Sequence, residues 1–489
     1  MSFSEILNFL TSSQFGIWGW PTIIIILGTG IYLTFKLKFL QVRKFPHTIN
    51  STLISSAKSV KVKNNKKSVS AFEAFSTAIS GSIGTGNIIG VTNAILTGGP
   101  GAIFWMWISA FFGMVTNYTE TVLSVYYRKK NSKGEYVGGP AYYITNGLKL
   151  KWLAYIACVF CLIASVGMSA VQTNKISSTI VGSIGNDEVW LKLLIGTIVA
   201  VLIALIILGG VKRIGKVSSF LVPFMTIAFF ILAIIIICSN YQSLPFAIKS
   251  IFKYAFNFKS AGGGILGYAT SQIIQKGMSR GIFSNEAGLG SSSIAHASTN
   301  ETEPVKQGLW GILAVFIDTF VVCTLTSLII LSSFDLTTLS STSIDTAVAI
   351  SAFSNTFGSF GKVAFSIILP VFAFTTILAW AFYGEKSIEF IFEKFGSKAQ
   401  QIATIIFKTL FVVLIVLWAI VESDIVWNLS DVSNVLMCLP NLIALIFLSN
   451  VVVKITKNYF ARKKGENLEP MISAYKENLQ NETQEDNIE

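Results

Sequence analysis

Apolar residues in this chain neither alternate along a strand nor mark one stripe of a helix. They come in blocks of about twenty, separated by polar or glycine-rich stretches. At about 1.5 Å per residue, twenty helical residues cross a hydrocarbon layer of about 30 Å. Inside a bilayer only helices and closed barrels satisfy every peptide group, and unbroken runs such as Ile195 to Leu208 lack the alternation of a barrel strand. The pattern therefore predicts an all-α membrane protein with eleven transmembrane helices: Gly16 to Phe35, Phe72 to Thr97, Gly101 to Tyr127, Trp152 to Val181, Lys192 to Gly210, Ser218 to Ser239, Gly262 to Phe283, Gln307 to Ser333, Val363 to Phe382, Ile402 to Ile420, and Ile425 to Val453. The second and seventh are unusually rich in glycine.

Composition agrees with the pattern. Of 489 residues, 52% are hydrophobic and only 13% charged, too few charges to cover a soluble protein of this size. Lysine and arginine beside spans are retained on the cytoplasmic side. The first loop carries Lys36, Lys38, Arg43, Lys44, Lys58, Lys61, Lys63, Lys66 and Lys67, and alternate loops collect most of the remainder, whereas the opposite side has Lys249, Lys253 and Lys259. The expected layout is an external N-terminus over residues 1–15, a transmembrane body over 16–453 and a cytoplasmic polar tail over 454–489, in the cell membrane. Met1 to Phe15 lacks a basic residue, so the first span is not read as a cleavable leader. Beyond about Gly465 the chain is too polar to order itself by burial. The net charge of +12 follows from this topology and gives no reason to expect a nucleic-acid partner.

Side-chain chemistry is sparse. Cys158, Cys161, Cys238, Cys323 and Cys438 all fall in apolar spans and read as small buried hydrophobes. Two histidines, His47 and His296, supply little for a metal centre or proton relay. No nucleophile, base and orienting group are grouped for catalysis, so the chain does not read as an enzyme.

The informative segment is Ser80-Gly81-Ser82-Ile83-Gly84-Thr85-Gly86-Asn87, in the middle of the second span. Each glycine lowers helix propensity by about 0.5 to 1 kcal/mol, so a helix at membrane depth would come apart here. Unwinding there is tolerated only where the freed N–H and C=O groups line a cavity or meet a ligand. Amides at a half-helix N-terminus attract a carboxylate, and free carbonyls replace the water around a sodium ion; a zwitterionic amino acid plus a cation fits both. The competing reading is close helix packing through small residues, which accounts for Gly98, Gly99, Gly101 and Gly113. No Gly-Lys-Ser/Thr follows, so a nucleotide loop is not indicated.

Four motifs carry a family likeness: Phe75 to Val91, Gly98 to Trp107, Gly138 to Tyr143, and Arg280-Gly-Ile-Phe-Ser-Asn-Glu-Ala-Gly-Leu-Gly290. Together they resemble the alanine or glycine:cation symporter family, from about Trp18 to Val453. That family is similar in fold to LeuT-like sodium symporters, which have a five-plus-five inverted repeat whose first helices are discontinuous. The resemblance implies one extra N-terminal helix followed by ten. It also implies a sodium:amino acid symporter importing alanine, glycine or both, with sodium as the co-transported ion and the bilayer as its setting.

The resemblance, together with the chemistry of the residues themselves, points to site residues. Gly81, Gly84, Thr85 and Gly86 would present backbone to the substrate, and the carbonyls of Ser80 and Ile83 would meet sodium. Asn87 is the candidate for a second cation site. Thr375 and Thr376 would complete the first sodium site, unless they merely bond back to their own helix. Trp380 would wall the pocket, or else anchor at the membrane interface. Gln172 would touch substrate, or like Asn174 bond to another helix, while Lys175 departs from the family pattern and would snorkel outward. Asp318, read as the one carboxylate deep in a clear span, would hold a cation, carry a proton or pair for structure. Arg280 and Glu286 would form an ion pair closing an inner gate, and Thr270 and Phe283 are further pocket candidates.

Overall fold

The computed structural model describes residues 16, 18–55, 69–131, 134–256, 263–342 and 345–475, without side chains for 263–270 and 340. The first apolar block forms α1 (Trp20–Lys36). The second is split into α2 (Ala71–Ser82) and α3 (Val91–Gly98). There follow α4 (Ala102–Tyr126), α5 (Lys151–Ile184), α6 (Val189–Ile207) and α7 (Gly210–Ser239). The seventh block gives α8 (Gly263–Asn285) and, beyond a break, α9 (Ser291–Ala297). The rest are α10 (Pro304–Ser333), α11 (Asp345–Phe357), α12 (Ser359–Phe392), α13 (Ser397–Trp418) and α14 (Ser423–Arg462).

Among the described residues seven helices (α5, α6, α7, α10, α12, α13 and α14) are long and apolar enough to cross a membrane. Of the four expected blocks that miss this measure, α2/α3 and α8/α9 are interrupted by glycine and small polar residues, α1 is a shorter apolar helix of 17 residues, and α4 is continuous but carries more polar residues. Exposed Leu205, Phe220, Phe224, Ile405, Leu410 and Phe447 project from the rim of the bundle, where apolar surface meets lipid without penalty. Local signals are well placed. A reciprocal cap starts α2: Ser70 Oγ accepts from the Glu73 amide at 3.2 Å, and Glu73 Oε2 accepts from the Ser70 amide at 2.8 Å.

The bundle wraps its interrupted helices. α5 packs along α12 and α14, while α4 packs along α8 and α10. α2 packs against α7, α9 and α12, and α8 and α9 both pack against α4, so each break lies beside continuous helices. Two boundaries differ from the sequence reading. α14 continues to Arg462, nine residues past the expected end of the last span. The start of the polar tail also does not stand apart: the Ala474 amide donates to the Tyr126 carbonyl at 2.9 Å, and Asn458 Nδ2 donates to the Glu469 carbonyl at 2.9 Å. Backbone hydrogen bonding and Met471, packed on the core, hold this stretch where average hydrophobicity gave no hint of it.

Candidate functional site

The first break follows from peptide accounting. α2 ends at Ser82, Ile83 is extended (φ −75°, ψ 95°), and the chain rewinds as a wide π-helical turn over Gly86–Gly90 before α3. In a continuous helix the amides of Gly84 and Thr85 would bond the carbonyls of Ser80 and Gly81. Instead the Gly84 N–H donates to Asn87 Oδ1 at 2.9 Å, and the Thr85 N–H donates to Gln172 Oε1 of α5 at 3.1 Å. Two carbonyls thus lose their helical partners, and two amides at a half-helix N-terminus are held only by side-chain oxygens that can move away.

Little room is left for a side chain in place of glycine at this point. A Cβ on Gly84 would lie 3.0 Å from Gln172 Oε1 and collide with Thr376 Oγ1. One on Gly86 would lie 3.1 Å from Phe283 Cδ1, and one on Gly81 2.8 Å from the Tyr383 hydroxyl. The adjacent threonines of α12 point different ways. Thr376 Oγ1 is 3.3 Å from the Ile83 carbonyl and 3.1 Å from that of Phe372. Thr375 Oγ1 turns to the Phe372 carbonyl at 2.9 Å and to Met225 Sδ at 3.7 Å. Ser80 contributes its backbone to the break, while its hydroxyl donates back to the Thr77 carbonyl at 2.8 Å.

The second break lies beyond the end of the span read from sequence, at residues 286–290. Glu286, Gly288 and Gly290 all have positive φ (56°, 98° and 78°). For glutamate this backbone costs about 1 to 3 kcal/mol and persists only where its surroundings hold it. Glu286 is held: Trp380 Nε1 donates to Oε1 at 3.0 Å and Ser291 Oγ to Oε2 at 2.6 Å. The peptide accounting repeats that of the first break. The amides of Ala287 and Gly288 would close on the carbonyls of Phe283 and Ser284, but they donate to Asn285 Oδ1 at 3.1 Å and Glu120 Oε1 at 2.9 Å.

Asp318 of α10 joins the two breaks. Its Oδ1 accepts from Asn87 Nδ2 at 2.6 Å, and its Oδ2 accepts from Ser284 Oγ at 3.0 Å and Thr319 Oγ1 at 2.8 Å. Ser80, Ile83, Gly84, Thr85, Gly86, Asn87, Gln172, Phe283, Asp318, Thr376 and Trp380 therefore fall in one connected, buried region, with Gly81 packed against Tyr383 at its edge. Thr270 lies outside the residues whose side chains are described. Trp380 is fully buried, its ring 5.4 Å from Tyr383, and so is no interfacial anchor.

Several sequence readings are corrected. Lys175 does not snorkel: it is buried, with Nζ 3.0 Å from Asp345 Oδ1 of α11. Arg280 and Glu286 do not pair. Arg280 meets Asp431 of α14 at 3.2 Å and lies 4.6 Å from the Trp427 ring, whereas Glu286 is taken by Trp380 and Ser291. Arg280 lies within α8 whereas Glu286 opens the break with a positive φ, and their side chains face different helices. Nor is Asp318 alone, because Glu120 and Glu286 are also fully buried. Trp427, 4.9 Å from the Phe283 ring, separates the site from a cavity of about 640 Å³ lined by Lys175, Asp345, Lys362 and Asp424.

Ser284, Glu120 and Asn441 were missed. Glu120 lay in plain view within the third span, and a single acid in an apolar block was the signal to follow.

Paired discontinuous helices enclosed by a helical bundle, with opened peptide groups at membrane depth, define a multi-pass secondary transporter. Residues 3–474 match the model of the sodium:alanine symporter family, and the chain belongs to that family. It is accordingly a sodium-coupled amino-acid symporter, with sodium its co-transported ion. A sodium/alanine symporter of Methanococcus maripaludis is 38% identical over 95% of this chain and 99% of its own. A probable sodium/glutamine symporter of Bacillus subtilis is 36% identical over 92% of this chain and 90% of its own. Among solved structures, MhsT in complex with L-phenylalanine superposes with a TM-score of 0.55 at 13% identity, covering 81% of this chain and 99% of that one. This last likeness concerns the fold alone.

Proposed function

We propose that this symporter imports alanine or glycine together with sodium by alternating access, with both ligands seated between the two breaks. The reading is carried by one observation: at each break, side chains rather than helix neighbours take the amides, leaving carbonyls without their helical partners. The substrate carboxylate would displace Gln172 Oε1 from the Thr85 amide and draw on the Gly84, Thr85 and Gly86 backbone. The ammonium would rest on the Phe283 and Ser284 carbonyls, at the negative end of α8. Opposite ends of two half-helices thus suit opposite ends of a zwitterion.

Sodium would be held by the Ser80 and Ile83 carbonyls with Thr376 Oγ1, hard oxygen ligands suited to a small cation. Thr375 could join only by turning its hydroxyl from Met225. Asn87, Ser284 and Asp318 would form a second cation site, where the carboxylate supplies the charge that the first site lacks. Trp380 would limit side-chain size, since one methylene in a closed pocket is worth about 1 to 3 kcal/mol.

Eleven spans in a one-plus-ten arrangement, with α2/α3 and α8/α9 leading the two halves, fit this reading, as do an external N-terminus and cytoplasmic C-terminus in the cell membrane. The outer side would then be the one sealed by Arg280, Asp431 and Trp427. The test is counterflow of labelled alanine and glycine in proteoliposomes with and without a sodium gradient. Sodium-stimulated exchange of either supports the proposal. Exchange of neither, or uptake undiminished when choline replaces sodium, rejects it.

A further inference from the structure

The opened turn at residues 286–290 carries no proline, so an agent outside the segment must stop it from rewinding. Its first amide, that of Glu286, still bonds the Ile282 carbonyl at 2.9 Å, as a helix would. The departure begins at the next two amides. Ala287 is diverted locally by Asn285, but Gly288 is diverted by a residue from another helix and a remote part of the chain, Glu120 of α4.

Glu120 acts with a partner that grips the same residue from its other side. Asn441 Nδ2 of α14 donates both to Glu120 Oε1, at 2.6 Å, and to the Gly288 carbonyl, at 2.9 Å. The Tyr143 hydroxyl donates to Asn441 Oδ1, which fixes the orientation of that amide. The N–H and C=O of Gly288 are thus both taken by side chains from α4 and α14. Glu120, Asn441 and Tyr143 are all fully buried, so water does not compete for these groups.

We infer that Glu120 is a positioning residue for substrate binding: by capturing the Gly288 amide it keeps the Ser284 carbonyl free to receive the ammonium of the transported amino acid. The inference rests on the seating of substrate proposed above. Glu120 itself does not touch substrate. What the turn requires from it is an oxygen acceptor at the Oε1 position. Glutamine can supply that acceptor, whereas alanine leaves the Gly288 amide free to close on Ser284 and complete the helical turn.

The test is sodium-driven alanine uptake in proteoliposomes for the wild type, Glu120→Ala, Glu120→Gln and Asn285→Ala. The KM for alanine, Vmax and sodium half-saturation are measured for each. Glu120→Ala is expected to raise the alanine KM about tenfold or more while sodium half-saturation stays within about threefold. Glu120→Gln should return the KM to within about threefold of the wild type. Asn285→Ala, which releases the neighbouring Ala287 amide toward the Phe283 carbonyl, should raise the alanine KM in the same selective way. If Glu120→Ala fails to fold, Glu120→Gln decides: an alanine KM within about threefold of the wild type supports the inference, and a KM raised about tenfold or more overturns it.

An unchanged alanine KM in Glu120→Ala overturns the inference. So does a Glu120→Gln protein as impaired as the alanine variant, since that would make the charge and not the acceptor the necessary feature. If the wild type shows no sodium-stimulated alanine uptake, it is the proposed function that fails, and the two failures are told apart.

Discussion

Adding one methyl group at Gly84 is the sharpest perturbation the first break offers. A Cβ there would stand 3.0 Å from Gln172 Oε1 and 3.3 Å from Thr376 Cβ, and would overlap the Thr376 hydroxyl. Contacts that close force neighbours to shift, and overpacking of this kind costs about 1 to 3 kcal/mol. The atoms that must yield are proposed to hold the substrate carboxylate and sodium. If the cost falls on the ligand-bound state, affinity drops by about 5- to 150-fold. Gly90, in the same span, is the control: a Cβ there meets only Trp427 Cη2, at an ordinary 3.9 Å. Alanine uptake and sodium half-saturation in proteoliposomes are compared for wild type, Gly84→Ala and Gly90→Ala, with melting temperatures to show folding. Gly84→Ala is expected to lose affinity for both ligands and Gly90→Ala to stay within about twofold. A Gly84→Ala protein with wild-type affinities would refute the claim that this peptide turn is the ligand seat.

Three further outcomes follow from the same contacts. Trp380→Phe leaves Glu286 Oε1 without its indole donor; at about 1 to 3 kcal/mol for a buried acceptor left unsatisfied, the melting temperature should fall measurably and alanine uptake with it. Asp318→Asn replaces the carboxyl group that bonds both Asn87 and Ser284, and sodium half-saturation should rise at least about tenfold in an uptake assay run at saturating alanine. Lys175→Met removes the ion-pair partner of Asp345, which keeps the Thr346 amide at 2.7 Å and borders the cavity, so thermal stability should fall by less than the about 3 to 5 kcal/mol of a fully buried pair, whereas Lys175→Met combined with Asp345→Leu should recover most of the loss.

The first break was legible because its cause is local. Glycine and hydroxyl residues at 80–87 weaken a helix wherever they occur, and an apolar block around them leaves only the bilayer interior as their setting. The second was harder to place because glycine density misled. Gly262, Gly263, Gly264 and Gly267 crowd the start of the seventh block, whereas the turn falls at Glu286 to Gly290 and depends on side chains from three other helices. Ion pairs failed for a related reason. Arg280 and Glu286 are six residues apart, so sequence invites pairing them, but Arg280 meets Asp431 and Lys175 meets Asp345, each across more than a hundred residues of chain. Local chemistry is written in neighbouring residues, whereas the partner of a buried charge is chosen by tertiary packing.

The most direct measurement is an experimental structure of the protein saturated with sodium and alanine. The account predicts a bound amino acid between the two breaks, its carboxylate on the Thr85 amide in place of Gln172 Oε1 and its ammonium on the Phe283 and Ser284 carbonyls. Alanine bound only in the cavity beside Lys175 and Asp345, with Gln172 still on the Thr85 amide, would contradict it.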